Sequence, residues 1–254
     1  MVVFKKSVRH QKKLKMGIVG PSGSGKTYSS LLLARGIAGE TGKIAVIDSE
    51  NKSSELYADL TDFDVAIPSE KVSVDEMDKM IKGAIAAGYD VLVIDSITPV
   101  WRTLLELHEK YTRQTGNSFT AWNKVTPEYT RFINLLVYSD IHILFTIRAK
   151  TQYEVVIDSN QKAVPKKLGI GPVFRQGIDY EPDVALDMTF DGKDNYAIVS
   201  KTRINILPMG HEFIPTIEMG AKLQEWISGG EIEEKEEEEV LSETTYEEEI
   251  EELW

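Results

Sequence analysis

An α/β fold is predicted for this 254-residue sequence: a mostly parallel sheet flanked by helices, with antiparallel hairpins toward the C-terminus. Three observations predict it. Short apolar runs alternate with helical stretches as far as Arg148, the pattern of right-handed crossovers onto a parallel sheet. The octapeptide Gly-Pro-Ser-Gly-Ser-Gly-Lys-Thr at 20–27 joins the first such run to the first such helix. Beyond Arg148 the pattern changes to that of hairpins.

The elements follow in order. Residues 15–19 read as a short buried strand, and 26–38 as a helix with Leu31, Leu32, Ala34 and Ile37 at helical spacing. A strand over 43–48 and a helix over 75–87 come next, then the apolar strand 90–95. A helix is expected at 101–111, followed by a polar stretch at 112–120. Thr126-Pro127 reads as an N-cap followed by proline at the first helical position, opening a helix with Tyr129, Phe132, Ile133 and Leu136 on one face. Residues 141–147 form another buried strand. A ribbon is expected from 153–157, a turn at 158–160 and a basic segment at 162–167. A second hairpin, 184–190 with 196–201 around Asp191-Gly192, would extend the sheet antiparallel.

Composition limits the classes open to the chain. At 42% hydrophobic content it can bury one α/β core, so a basic arm (1–14), a core (15–228) and a tail (229–254) are expected. The absence of cysteine excludes disulfides, thiolate metal sites and thiol nucleophiles. No run approaches ~18 uninterrupted apolar residues and no cleavable leader is visible, so a soluble, cytoplasmic protein with no membrane association is expected. The net charge of −12 is unevenly spread. Residues 231–254 hold 13 Glu and one Lys, leaving 28 acidic and 28 basic residues before them. That tail carries too much like charge to order itself alone and is expected to be disordered. Lys5, Lys6, Arg9, Lys12, Lys13 and Lys15 make the N-terminus basic, suited to a polyanion or an acidic neighbour, or simply solvated.

The octapeptide fits the phosphate-binding loop G-x-x-x-x-G-K-[ST] at every fixed position. Gly20, Pro21, Ser22, Gly23, Ser24 and Gly25 would curl backbone N–H groups around phosphate oxygens, and the helix beginning at Lys26, Thr27 and Tyr28 would point its positive end at them. Lys26 would reach the β and γ phosphates and Thr27 would hold Mg²⁺. The strand 90–95 ends in Asp95, where a metal-facing carboxylate is expected beside the loop. The strand 44–48 runs into Asp48-Ser-Glu50, whose two carboxylates are expected on one side of the extended chain; Glu50 would then deprotonate the attacking water. A polar loop or helix cap is the plainer alternative for this tip.

Taken together these motifs resemble the RecA-like P-loop ATPase core over about 15–208, through the phosphate loop, the I-D-x-E tip, Asp95-Ser96, residues 144–150 and residues 199–204. The closer likeness is to short phage-encoded RecA-like ATPases associated with single-strand annealing, which share the Trp122–Tyr129 style of segment. The resemblance implies ATP and Mg²⁺ as cofactors, Glu50 as catalytic base, and Lys201 and Arg203 acting across a subunit interface on a neighbour's γ phosphate. It also implies self-association into a ring or filament and binding of single-stranded DNA. The chain departs from the larger recombinases in carrying Thr146 where they place a phosphate-sensing glutamine, and in lacking their extra terminal domain.

In that arrangement DNA lies against loops that here fall at about 112–124 and 150–175. The first offers Arg113, Asn117, Phe119, Trp122 and Lys124, and the second Lys150, Lys162, Lys166, Lys167 and Arg175. Cations with aromatics among them suit stacked single strands; packing under the next helix is the alternative for Trp122 and Phe119. The implied function is a DNA-stimulated ATPase promoting annealing or recombination. A helicase-like or loader-type motor is the alternative, and a small-molecule kinase ranks behind both. The acidic tail would compete with DNA for the basic surface, contact a partner protein, or only aid solubility.

Overall fold

The computed structural model describes residues 11–157 and 163–229, with the backbone alone described for 151–157 and 163–170. The arm residues Lys5, Lys6 and Arg9, the turn at 158–160, Lys162, the side chains of Lys166 and Lys167, and the acidic tail lie outside what is described. Nine strands and five α-helices are found among the described residues. In chain order these are β1 (Lys15–Gly20), α1 (Lys26–Ala38), β2 (Ile44–Asp48), β3 (Asp64–Ala66), α2 (Val74–Ala86), β4 (Val91–Asp95), α3 (Thr98–Thr115) and α4 (Ser118–Tyr138), then β5 (His142–Ile157), β6 (Ala163–Pro172), β7 (Val184–Phe190), β8 (Asn195–Thr202), β9 (Glu212–Phe213) and α5 (Ile217–Ser228).

The sheet runs β3-β2-β4-β5-β1-β7-β8-β9, with β6 paired to β5. Strands β3, β2, β4, β5, β1 and β7 are mutually parallel, and β8 and β9 add antiparallel. The expected α/β P-loop NTPase architecture is the observed one. Register brings the strand tips into line: Asp48 stands opposite Asp95, and Gly20 opposite Arg148. A strand offers alternate residues to opposite faces. Thus Ile143, Phe145 and Ile147 meet the layer of α2, α3 and α4, while Met16, Ile18 and Leu144 meet that of α1 and α5.

Helix α1 is buried almost all round because α5 covers its outer side; Leu33, not Leu32, joins Leu31, Ala34 and Ile37 in the core. Two glycines permit that crossing. A Cβ at Gly36 would lie 2.0 Å from the Ile217 carbonyl oxygen, and one at Gly220 2.4 Å from that of Leu33.

The helical hairpin departs from expectation. The polar stretch 112–120 is not a loop: α3 runs to Thr115, Gly116 turns the chain at φ 67°, and α4 starts at Ser118. Asn117 is the cap, its side chain accepting from the amides of Phe119 (2.9 Å) and Thr120 (3.1 Å). Pro127 therefore lies inside α4, not at its start. The buried stripe Ala121, Val125, Phe132 and Leu136 continues past it, and this burial outweighs the one backbone hydrogen bond that proline removes. The expected ribbon is present: β5 and β6 pair antiparallel from a root at Ala149 and Pro172, with a register shift between Gln152 and Tyr153.

Candidate active site

The phosphate loop closes the end of β1. A Cβ at Gly20 would meet Ser24 Oγ at 2.4 Å, and Gly25, at φ 78°, would press a Cβ to 2.8 Å from the Asn195 amide group. Glycine is required at both, and the positive φ at Gly25 adds a second reason. As N-cap of α1, Gly25 brings no side-chain cap, so the first-turn amides remain for an anion. Ser22 and Gly23 are exposed at the mouth, and Ser24 is buried with its hydroxyl donating to the Pro21 carbonyl at 2.9 Å. Lys26 folds back onto that carbonyl at 2.8 Å. Burial lowers its ammonium pKa, against the opposing charges of Asp95 and Glu50.

At the tip of β4, Asp95 is 2% exposed. It accepts from Thr27 Oγ1 at 2.5 Å and from the hydroxyl of Thr146 on β5. Burial raises its pKa, and the two hydroxyl donors oppose the rise. Thr146 is thereby committed to Asp95. Thr27 and Asp95 form a two-oxygen set beside the cradle, which suits Mg²⁺, a cation that takes few protein ligands and completes its shell with phosphate and water. No cluster of three or more His, Cys, Asp or Glu capable of holding a metal occurs among the described residues.

The acidic tip of β2 is divided. Asp48 and Glu50 do not share a face as the extended pattern predicts, because β2 ends at Asp48 and the chain turns. Asp48 is fully buried and accepts from the amides of Glu50 (2.7 Å) and Ser54 (2.8 Å) and from the Ser54 hydroxyl (2.5 Å). Asn51 and Lys52 follow at φ 59° and 63°, a left-handed pair of non-glycine residues of the strained kind that clusters at functional sites. Glu50 turns into the cleft, where Ser96 Oγ donates to its Oε1 at 2.6 Å. Ser49 and Ser96 tie the two tips together through mutual hydrogen bonds of 2.8 and 2.9 Å.

Arg148, at the end of the core part of β5, completes the arrangement. Its Nε donates to Glu50 Oε1 at 2.7 Å and its Nη2 to Oε2. Burial alone would raise the Glu50 pKa, but the bonds from Arg148 and Ser96 bring it below the usual range. Lys26, Thr27, Glu50, Asp95 and Arg148 line one cleft of about 470 Å³, together with Ser22, Gly23, Gly25, Ser53, Tyr57 and Ala149. Tyr57 meets Tyr28 edge to face at 6.0 Å and forms an aromatic rim.

Motif spacing alone does not single out Arg148 or Tyr57. The available signal for Arg148 was its place two residues after Thr146 on one strand, hence on the same face. Lys201 and Arg203 are not in this cleft. Lys201 lies opposite Ala185, toward the far edge of the sheet, and donates to the carbonyls of Tyr180 (2.6 Å) and Pro182. Arg203 bonds the Tyr180 carbonyl at 3.1 Å and pairs with Asp183 at 3.6 Å.

The residues expected along DNA divide as well. Arg113 is exposed on α3 beside Glu109 (3.6 Å), and Lys124 and Lys150 are exposed. Phe119 is 81% exposed. Trp122 is half-buried, stacked on His108 (4.1 Å) and Trp101 (6.0 Å), which is the packing alternative. Arg175 lies over Tyr129 (4.7 Å) and Trp122 (5.5 Å). A groove of about 620 Å³ separates Phe119 from Trp122 and Arg175. No helix among the described residues is long and apolar enough to cross a membrane.

A protein-family model described as an AAA domain matches residues 12–215 of the chain. No curated protein matches it.

Proposed function

The chain belongs to the AAA-domain family of P-loop nucleotide-binding ATPases, and we propose that it binds ATP with Mg²⁺, hydrolyses it, and, as an oligomer on single-stranded DNA, promotes annealing or recombination. The observation that carries the ATPase reading is the convergence of Lys26, Thr27, Asp95 and Glu50 on one cleft at the carboxyl ends of β1, β2 and β4. Lys26 leaves the Pro21 carbonyl for the β and γ phosphates, and Glu50 takes the proton of the attacking water. Thr27 and Asp95 hold Mg²⁺, which when bound neutralises charge on the phosphate oxygens. The rim formed by Tyr28 and Tyr57 suits the flat face of a base.

The DNA reading is supported by the groove bounded by Phe119, Trp122 and Arg175, in which an exposed ring, a stacked indole and a guanidinium border one space. Such surfaces bind single strands through stacking and charge. Lys201 and Arg203 would act on the site of a neighbouring subunit.

Steady-state ATP hydrolysis with and without single-stranded DNA, in the native chain, Lys26→Ala and Lys201→Ala, tests the proposal. Stimulation by DNA that is lost in both variants is expected. DNA-insensitive hydrolysis that survives Lys201→Ala would leave a P-loop ATPase without the interface mechanism.

A further inference from the structure

The β7–β8 hairpin backs both ends of the phosphate loop. A Cβ at Gly20, where the loop begins, would lie 2.9 Å from Met188 Cβ on β7. One at Gly25, where the loop ends, would lie 2.8 Å from Cγ and Nδ2 of Asn195, the first residue of β8. The turn between the two strands is fixed by Asp191, whose Oδ1 accepts the amides of Lys193 (2.8 Å) and Asp194 (2.9 Å). Asn195 is therefore held against the loop by a tied turn. It does not line the nucleotide cleft, and it bears on a bound nucleotide through Gly25.

The Asn195 amide does not serve the stability of the free chain. Its Oδ1 is buried without a hydrogen-bond partner, and its Nδ2 makes no hydrogen bond among the described residues. Buried polar atoms are nearly always paired, so an unpaired one calls for a reason outside fold stability. The orientation of the amide supplies that reason. Its donor end, Nδ2, faces the Gly25 backbone, and the partial positive charge there has the same sign as the N-terminal end of α1. The missing side chain at Gly25 is what lets the amide come so close.

We propose that Asn195 is a positioning residue of the phosphate loop, its amide holding Gly25 in the left-handed conformation that shapes the cradle and adding its positive end to the field that receives the phosphates. The proposal rests on the reading of the cleft as an ATP site and deepens it: the strand that reads the loop from behind, β8, is part of nucleotide binding although none of its residues lines the cleft.

The test is ATP binding by calorimetry in the presence of Mg²⁺, steady-state hydrolysis and thermal melts, on the full chain as native, Lys26→Ala, Asn195→Leu and Asn195→Ala. Asn195→Leu keeps nearly the same shape but removes the amide. Its nucleotide-free melting temperature should be unchanged or raised, because the unpaired oxygen is gone. Its Kd and KM for ATP should rise about 10-fold or more, the scale on which outer-shell partners act at metal sites. The kcat should stay within about threefold, the pattern of lost binding and not of lost chemistry. Asn195→Ala should show the same split and replaces Asn195→Leu if the larger side chain presses on Gly25.

Native ATP affinity in Asn195→Leu overturns the proposal, since filling the space would then suffice. So does a fall in the nucleotide-free melting temperature of both variants that tracks their loss of affinity, which would make the residue structural, and so does a reduced kcat at unchanged KM. If the native chain binds ATP, Lys26→Ala does not and Asn195→Leu binds like the native chain, only the role of Asn195 fails. If the native chain binds no ATP, the reading of the cleft fails and this proposal with it.

Discussion

Oδ1 of Asp48 accepts the backbone amide of Glu50 at 2.7 Å, so one acid at the end of β2 builds the turn that aims the other. The two should respond differently to substitution. Asp48→Ala leaves the Ser54 amide, the Ser54 hydroxyl and the Glu50 amide without their acceptor; one such buried group left unpaired costs about 1–3 kcal/mol. Urea unfolding should show a loss of at least that size. Glu50→Gln should unfold like the native chain and bind ATP, while its hydrolysis falls by about 10²–10⁴, the usual contribution of a general base.

The Thr27 and Asp95 pair predicts a metal-dependent stabilisation. Their oxygens stand 2.5 Å apart in a hydrogen bond that a cation would replace by binding both. With ATP present, adding Mg²⁺ should raise the melting temperature, since a ligand at about 100 times its Kd stabilises by about 2.7 kcal/mol. Asp95→Asn should keep a response to ATP alone and lose the additional response to Mg²⁺. An equal Mg²⁺ response in the variant would place the metal elsewhere.

The groove beside α4 distinguishes a surface aromatic from a packed one. Phe119 is almost fully exposed, whereas Trp122 is stacked between neighbours. Phe119→Ala should therefore leave stability unchanged within about 0.5 kcal/mol and weaken single-strand binding by roughly 1–3 kcal/mol. Trp122→Ala should destabilise the fold by roughly 3 kcal/mol or somewhat less, given its partial burial. Fluorescence anisotropy with a labelled oligonucleotide, paired with melts, reads both effects; unaltered affinity in Phe119→Ala removes the groove from the DNA path.

These contrasts mark what was legible in the sequence. The phosphate loop, the β4 tip at Asp95 and the position of Glu50 could be read because each is set by residues adjacent along the chain. The Arg148–Glu50 pair could not, since it joins residues 98 apart that meet only because β5 lies beside β4 and β4 beside β2. The start of α4 differs from expectation for a local reason: Thr126-Pro127 carries the chemistry of a helix start, but Asn117 caps the helix earlier and the buried stripe passes through the proline. The division between Asp48 and Glu50 arises where β2 ends, in a turn that Asp48 itself holds through the amides of Glu50 and Ser54 and in which Lys52, unlike the more tolerant Asn51, is a residue type that seldom takes a positive φ.

His142 gives the stability a defined acid limb. It opens β5 at 6% exposure, with Nδ1 accepting the Leu14 amide at 3.0 Å, so the fold requires the neutral ring. Burial, then the charges of Lys13 and Lys15, lower its pKa to about 4 from 6.5, while Asp90 and Asp140 oppose the shift. The unfolded chain therefore binds a proton near pH 6.5 that the folded chain refuses until about pH 4. Stability rises with pH wherever the unfolded state holds more protons, so this contribution is complete above about pH 6.5 and declines as pH falls through that window. At 1.36 kcal/mol per unit the loss between about pH 7 and about pH 4.5 is roughly 2–3 kcal/mol. His142→Asn keeps an acceptor near the Leu14 amide but does not titrate. The difference between the two chains in urea unfolding should therefore shrink or reverse on acidification, and a difference independent of pH would show that the ring is not the group being titrated.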